Sequence, residues 1–135
     1  MEVVLYAFPM KRAVFRDESH LIDRVVEYVD SHFADGISLR DVAIAFAYSP
    51  AHLTYRFRLV TGKPLTAWII ECRIVAACRI LETSDATIGE ICGAVGFVDL
   101  CYFTRQFRRL LGIAPAHYRS RARSTAQFHS RSQVL

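Results

Sequence analysis

No acidic residue follows Asp99 in this chain of 135 residues. Residues 1–99 hold all thirteen Asp and Glu beside ten Lys and Arg, a local net charge of −3. Residues 100–135 carry seven arginines (105, 108, 109, 119, 121, 123 and 131), a local charge of +7. A basic end free of carboxylates is the electrostatic footprint of a phosphate-binding surface. Other absences narrow the choice. No apolar run reaches the roughly 18 residues that mark a membrane span. Met1 to Met10 has no basic n-region before its apolar cluster, which argues against a secretory signal. None of the four cysteines, Cys72, Cys78, Cys92 and Cys101, forms a CxxC pair, so a zinc site is not expected. They read as reduced, buried, small apolar residues of a cytosolic protein. No nucleophile–base–orienter set and no phosphate-cradling glycine loop can be read, which argues against an enzyme. No catalytic residue, metal ligand or cofactor is therefore assigned.

What is present is enough to build a core. Hydrophobic residues make up 53% of the chain, too many for a disordered tail. The length suits one compact domain, or two very small lobes sharing a spacer.

The chain contains an internal repeat of about fifty residues. One copy starts at Ser38, SLRDVAIAFAYSPAHLTYRFRLVTGKPLTAW, and the other at Thr87, TIGEICGAVGFVDLCYFTRQFRRLLGIAPAHY. Each opens with a hydroxyl residue and an acid three positions on, Asp41 or Glu90. This is capping-box chemistry, met strictly only in the second copy, where the acid is Glu. An apolar stripe at i, i+3, i+4, i+7 follows: Leu39, Val42, Ala43, Phe46, then Ile88, Ile91, Cys92, Val95. A small residue interrupts each helix, Ala47 or Gly96, and an aromatic follows, Tyr48 or Phe97. If the turn needs a positive φ, Gly96 meets it more easily than Ala47.

A second helix then opens. Ser49 with Pro50 makes a good start in copy one, and Asp99 is the cap in copy two, after one extra residue. Leu53 and Phe57, like Phe103 and Phe107, lie four apart on one helix face. Gly62 and Gly112 stop the helices. Each copy therefore reads as helix, short turn, helix, with Thr, Tyr, Arg or Gln on the outer side of the second helix. That is the helix-turn-helix pattern, whose second helix enters a major groove.

Residues 65–83 contain no Gly or Pro and read as one helix, about 28 Å long at 1.5 Å per residue. Neighbouring major-groove segments on one DNA face lie about 34 Å apart. The pattern of residues 21–33 predicts an amphipathic helix packed on the first unit. The expected fold is all-α, about seven helices, with a first lobe over 21–64, a linker helix over 65–83 and a second lobe over 87–121. Residues 1–20 form an extension of unknown role, with an apolar cluster from Val3 to Phe8. Residues 122–135 read as a basic flexible tail, frayed from 124.

The stretch Arg73–Tyr118 resembles the signature of the AraC/XylS family of bacterial transcription regulators. The matching elements are RI-x-x-A, I-x-E-I-x-x-x-V-GF, YF-x-R-x-F and G-x-x-P-x-x-Y-R, with YS-x-x-HL-x-x-x-F and T-G-K in copy one. The resemblance covers residues 21 to about 121. It implies a seven-helix DNA-binding domain, double-stranded promoter DNA as partner, and regulation of transcription, usually by an activator that contacts RNA polymerase. A cytoplasmic, nucleoid-associated protein is implied, binding as a monomer, or as a dimer if the chain is part of a longer regulator. Three departures stand out. Leu65 takes the place equivalent to Pro115. Leu100 and Cys101 occupy a stretch that often holds hydrogen-bonding residues. Asp99 is acidic near phosphates, although a carboxylate accepts from cytosine N4.

By helical phase and family position, the base-contact candidates are Ala51, Thr54 and Tyr55 in copy one, and Leu100, Cys101, Thr104 and Arg105 in copy two. Arg105 is the strongest, since its planar fork matches guanine O6 and N7. Ser49, His52, Arg56, Arg58, Lys63, Arg108, Arg109 and Arg119 are phosphate candidates, supplying affinity without sequence information. Trp68 and Tyr118 read as core or hinge packing. A helical protein adaptor would explain the apolar helices but not the acid-free arginine-rich end.

Overall fold

A computed structural model describes residues 16–134, with side chains from 20 to 128. Among the described residues it contains seven α-helices, one short 3-10 turn and no strand, the expected all-α fold. The helices are α1 (Arg16–His32), α2 (Leu39–Ala45), α3 (Pro50–Thr61), α4 (Leu65–Thr83), α5 (Ile88–Ala94), α6 (Leu100–Leu111) and α7 (Pro115–Val134). The 3-10 turn, Phe33–Asp35, joins α1 to α2 and ends at Gly36. The apolar cluster Val3 to Phe8 lies outside the described residues.

Local chemistry sets the helix starts. Ser38 caps α2: its Oγ accepts from Asp41 N at 3.3 Å, and the Asp41 carboxylate accepts from Ser38 N at 2.8 Å. The reciprocal box thus closes in the first copy, where the shorter acid stands, and not in the second as the sequence suggested. Before α5, Thr87 Oγ1 accepts from Glu90 N at 3.1 Å, and that cap is one-sided. Ser49 accepts from His52 N ahead of Pro50.

Two hydrophobic cores form. The first gathers Ile22, Val25, Val29, Val42, Ala43, Leu53, Phe57 and Val60. The second gathers Ile91, Cys92, Val95, Phe97, Phe103 and Phe107. Helix α4 serves both, giving Leu65, Trp68 and Ile69 to the first and Ile74, Ala77, Cys78 and Leu81 to the second. The changeover falls at residues 70–73.

The two units are built alike. Phe57 meets Trp68 edge-on at 5.5 Å, and Phe107 meets Tyr118 edge-on at 5.6 Å. Leu65 and Pro115 are each the first residue of a helix, three after the glycine, and both are buried, so leucine fills the same seat. Gly62 and Gly112 both adopt φ 78° and donate to the fourth carbonyl back, Arg58 O and Arg108 O.

At the chain ends the helices run further than composition suggested. Helix α1 begins at Arg16, and α7 continues to Val134 across residues read as a flexible tail. Nothing after Pro115 breaks a helix, since neither Gly nor Pro occurs there. Side chains 123–128 are all exposed, and Arg123 among them donates to Ser84 O at 3.2 Å and pairs with Asp85.

Candidate nucleic-acid interface

The turn inside each unit has one geometry. Ala47 sits at φ 58° and Gly96 at φ 101°, and the next residue donates back to the helix: Tyr48 N to Ala43 O at 2.9 Å, Phe97 N to Cys92 O at 3.0 Å. The aromatic after each turn folds inward and aims the second helix. Phe97 packs on Phe103 at 5.1 Å, and Tyr48 stacks edge-on to His52 at 5.3 Å.

On α3, Ala51, His52, Tyr55 and Arg58 are exposed and Thr54 is half-buried. Tyr55 is 61% exposed, the largest apolar surface on this face. Arg56 is half-buried; it donates to Tyr48 Oη at 3.1 Å and lies over that ring. Ser49 spends its oxygen on the helix cap. Lys63 pairs with Glu71, Nζ to Oε2 3.0 Å, beside the Trp68 ring. Its charge is therefore largely balanced within the first lobe.

On α6, Leu100, Cys101, Arg105, Arg108 and Arg109 are exposed and Thr104 is half-buried. Thr104 Oγ1 donates to Leu100 O at 2.9 Å, and Arg109 donates to Gln106 at 3.0 Å. The Arg105 guanidinium stands 5.9 Å from the Tyr102 ring. Asp99 Oδ1 accepts from Cys101 N at 2.8 Å and from Tyr102 N at 3.2 Å, so that oxygen faces its own helix. Val98, absent from the sequence-derived candidates, is fully exposed beside it. The extra residue at this turn in the second copy was the signal for it.

Arg119 behaves differently from the other candidates. It donates to Leu81 O at 3.3 Å and to Ala86 O at 2.7 Å, clamping the loop that leads into α5. Arg73 makes the matching clamp in the first lobe, donating to Phe33 O at 3.0 Å and Ile37 O at 2.7 Å. Sequence reasoning missed Arg73 because it stands mid-helix, although the repeat aligns it with Arg123, which donates to Ser84 O at 3.2 Å and pairs with Asp85.

The cysteines divide. Cys78 and Cys92 are buried and Cys72 half-buried, as small apolar residues should be, but Cys101 is exposed on α6. Burial, with Asp30 and Glu71 nearby, pushes the Cys72 thiol up to about 12, and burial pushes Cys78 up to about 11. Both stay protonated at neutral pH and act as packing groups. Burial and the Glu82 carboxylate likewise raise the Tyr118 hydroxyl, which donates to Glu82 Oε1 at 2.5 Å. Among the described residues no cluster of His, Cys, Asp and Glu could hold a metal, and no helix is long and apolar enough to cross a membrane.

The sequence profile of a family described as helix-turn-helix domain matches residues 42–121, from inside α2 into α7. The chain belongs to the AraC/XylS family of transcription regulators. This AraC/XylS member is 29% identical over 120 residues to the MmsAB operon regulatory protein of Pseudomonas aeruginosa, covering 89% of this chain and 39% of that one. It is also 29% identical over 102 residues to the transcriptional activator AarP of Providencia stuartii, covering 76% of each. Among solved structures it matches the DNA-binding domain of the global transcriptional factor AdpA in complex with a target DNA. That match has TM-score 0.72 and 33% identity, covering 77% of this chain and 94% of that one. The chain spans between 32% and 48% of the length of the first curated relatives it matches.

Proposed function

We propose that this chain is a sequence-specific regulator of transcription that lays α3 and α6 into successive major-groove segments of double-stranded promoter DNA. The observation that carries this reading is one scaffold built twice, each copy exposing the outer face of its second helix. The AdpA domain, whose structure holds a target DNA, supports it. In this reading α6 is the stronger anchor. Arg105 reads a guanine through its two-pronged fork, while Leu100 and Cys101 lie against apolar base edges such as the thymine methyl. On α3, Ala51, Thr54 and Tyr55 approach bases. Ser49, His52, Arg56, Arg58, Arg108 and Arg109 approach phosphates, setting register and affinity. Arg119 and Lys63 contribute mainly inside the protein, through the carbonyl clamp and the Glu71 pair. The chain is non-catalytic and binds as a monomer, because it already carries two reading helices. In this reading it activates transcription through contact with RNA polymerase; the relative AarP, a transcriptional activator by name, supports the sign of regulation.

The test is a salt series with the folded chain and a labelled duplex. If about six phosphates are contacted, log K falls against log salt with a slope of about −5. Replacing Arg108 and Arg109 together by Ala should flatten that slope by about 2. A folded chain that fails to bind any duplex at low salt contradicts the reading. Run-off transcription with and without the chain on a selected promoter reads the sign of regulation.

A further inference from the structure

We propose that Arg73 is a positioning residue that locks the two lobes in one relative orientation, so that the protein measures the spacing between its two half-sites. This rests on the DNA-reading function proposed above and adds to it.

Four observations meet at one place. Arg73 lies on α4 where the helix passes from the first core to the second, between Ile69 and Ile74. Its guanidinium donates to Phe33 O at 3.0 Å and Ile37 O at 2.7 Å, both in the first lobe. The same guanidinium lies 5.6 Å from the centroid of Phe97, which belongs to the second core. Gly96 brings the second unit's turn against the first lobe so closely that a Cβ there would come within 2.4 Å of Phe33 O and 3.0 Å of Arg73 Nε. Gly36, which ends the 3-10 turn, in turn faces Gly96 O.

Arg119 supplies the internal comparison. It clamps the loop before α5 through Leu81 O and Ala86 O, as Arg73 clamps the loop before α2. All of Arg119's partners belong to the linker's end and the second lobe, whereas Arg73 grips one lobe and covers an aromatic ring of the other. A lone helix joining two lobes leaves bending and twisting open. A charged fork on two carbonyls, with a backbone contact beside it, removes that freedom before DNA arrives. Pre-organisation spares the cost of ordering on binding, but it also fixes which spacing can be read. One added base pair moves a half-site by about 3.4 Å and about 35° around the DNA axis.

Two measurements test this, one with DNA and one without. Spin labels on non-natural residues at positions 40 and 90, both exposed and one in each lobe, report the interlobe distance in the free protein. The wild type should give one narrow distribution, and Arg73→Gln a broad one at unchanged helix content. Arg119→Gln, which loosens only the second lobe's loop, should leave it narrow. On DNA, one inserted base pair should cost the wild type about 100-fold in affinity, the lower range of what linking two binding modules gains. The same insertion should cost Arg73→Gln less than about 10-fold. Arg73→Lys keeps the charge but lacks the planar fork, so it should fall between; it also serves if the Gln variant folds poorly. Equal distance widths in wild type and both Arg73 variants would overturn the lock. A narrow wild-type distribution that broadens as expected, in a chain that binds no duplex, would keep the lock and overturn the DNA reading and the spacing measurement built on it.

Discussion

Helix α3 and helix α6 occupy the same seat in their lobes but show different chemistry to solvent. The tip of α3 offers Ser49, Pro50, Ala51 and His52, and further along it Tyr55, Arg56 and Arg58. The tip of α6 offers Val98, Leu100 and Cys101, and then Arg105, Arg108 and Arg109. The second tip also exposes the Tyr102 ring, and one oxygen of its lone acid, Asp99, accepts from two backbone N–H groups. The scaffold residues do not diverge in this way: Phe57 pairs with Phe107, Trp68 with Tyr118, Leu65 with Pro115. What folds each lobe has been kept equivalent, and what each lobe shows outward has been varied.

The largest expected effects test that shared scaffold. Phe57 and Phe107 are fully buried, each edge-on to the aromatic that closes its lobe. Truncating either to Ala should cost about 3–5 kcal/mol. Hydrogen exchange should show the loss confined to the truncated lobe and α4, and equal protection loss in both lobes would mean one cooperative core.

The two turns give the next largest effect, with opposite signs. Gly96→Ala places a Cβ at positive φ and against Phe33 O, so it should destabilise by more than about 2 kcal/mol. Ala47 already bears a φ of 58°, and Ala47→Gly should stabilise by about 0.5–1 kcal/mol once the added chain entropy is counted. Urea midpoints of the two variants read this directly, and the same sign for both would show that the turns are not equivalent.

On DNA the lobes should separate again. Arg105→Ala should lose about 1–3 kcal/mol of discrimination at one base pair in the second half-site. Tyr55→Ala should weaken only the first half-site. Competition with singly substituted duplexes measures both, and a uniform loss across sequences would reassign Arg105 to phosphate.

The smallest effect lies in the caps. Ser38→Ala should cost about 1 kcal/mol, and Thr87→Ala somewhat less because its cap is one-sided. Hydrogen bonds from Ser38 backbone and side chain hold the Asp41 carboxyl below its ordinary 3.8. Its contribution is therefore complete above that value and is lost as pH falls below it. On acidification the wild type should therefore lose more stability than Ser38→Ala, so the two stability curves draw together at low pH.

Much of this was legible in the sequence because a repeat reports on itself. Each stripe, cap and closing glycine in one copy could be checked against the other, and Leu65 was already aligned with Pro115. Three features were not legible. The capping box closed on Asp41 because local backbone geometry, not acid length, brought the carboxylate to Ser38 N. Arg73 and Arg119 are indistinguishable in sequence from phosphate-binding arginines, and only their carbonyl partners reveal them as clamps. The helical run from 122 to 134 follows from the absence of breakers, whereas its polar composition suggested a coil.

The direct trial of a two-headed reader is selection from a pool of random duplexes with the folded chain, wild type beside Arg105→Ala. Two enriched blocks about one helical turn apart should emerge at fixed spacing, with a guanine in one block lost in the variant. A single enriched block, or two blocks at variable spacing, would contradict a chain that reads DNA with both helices at once.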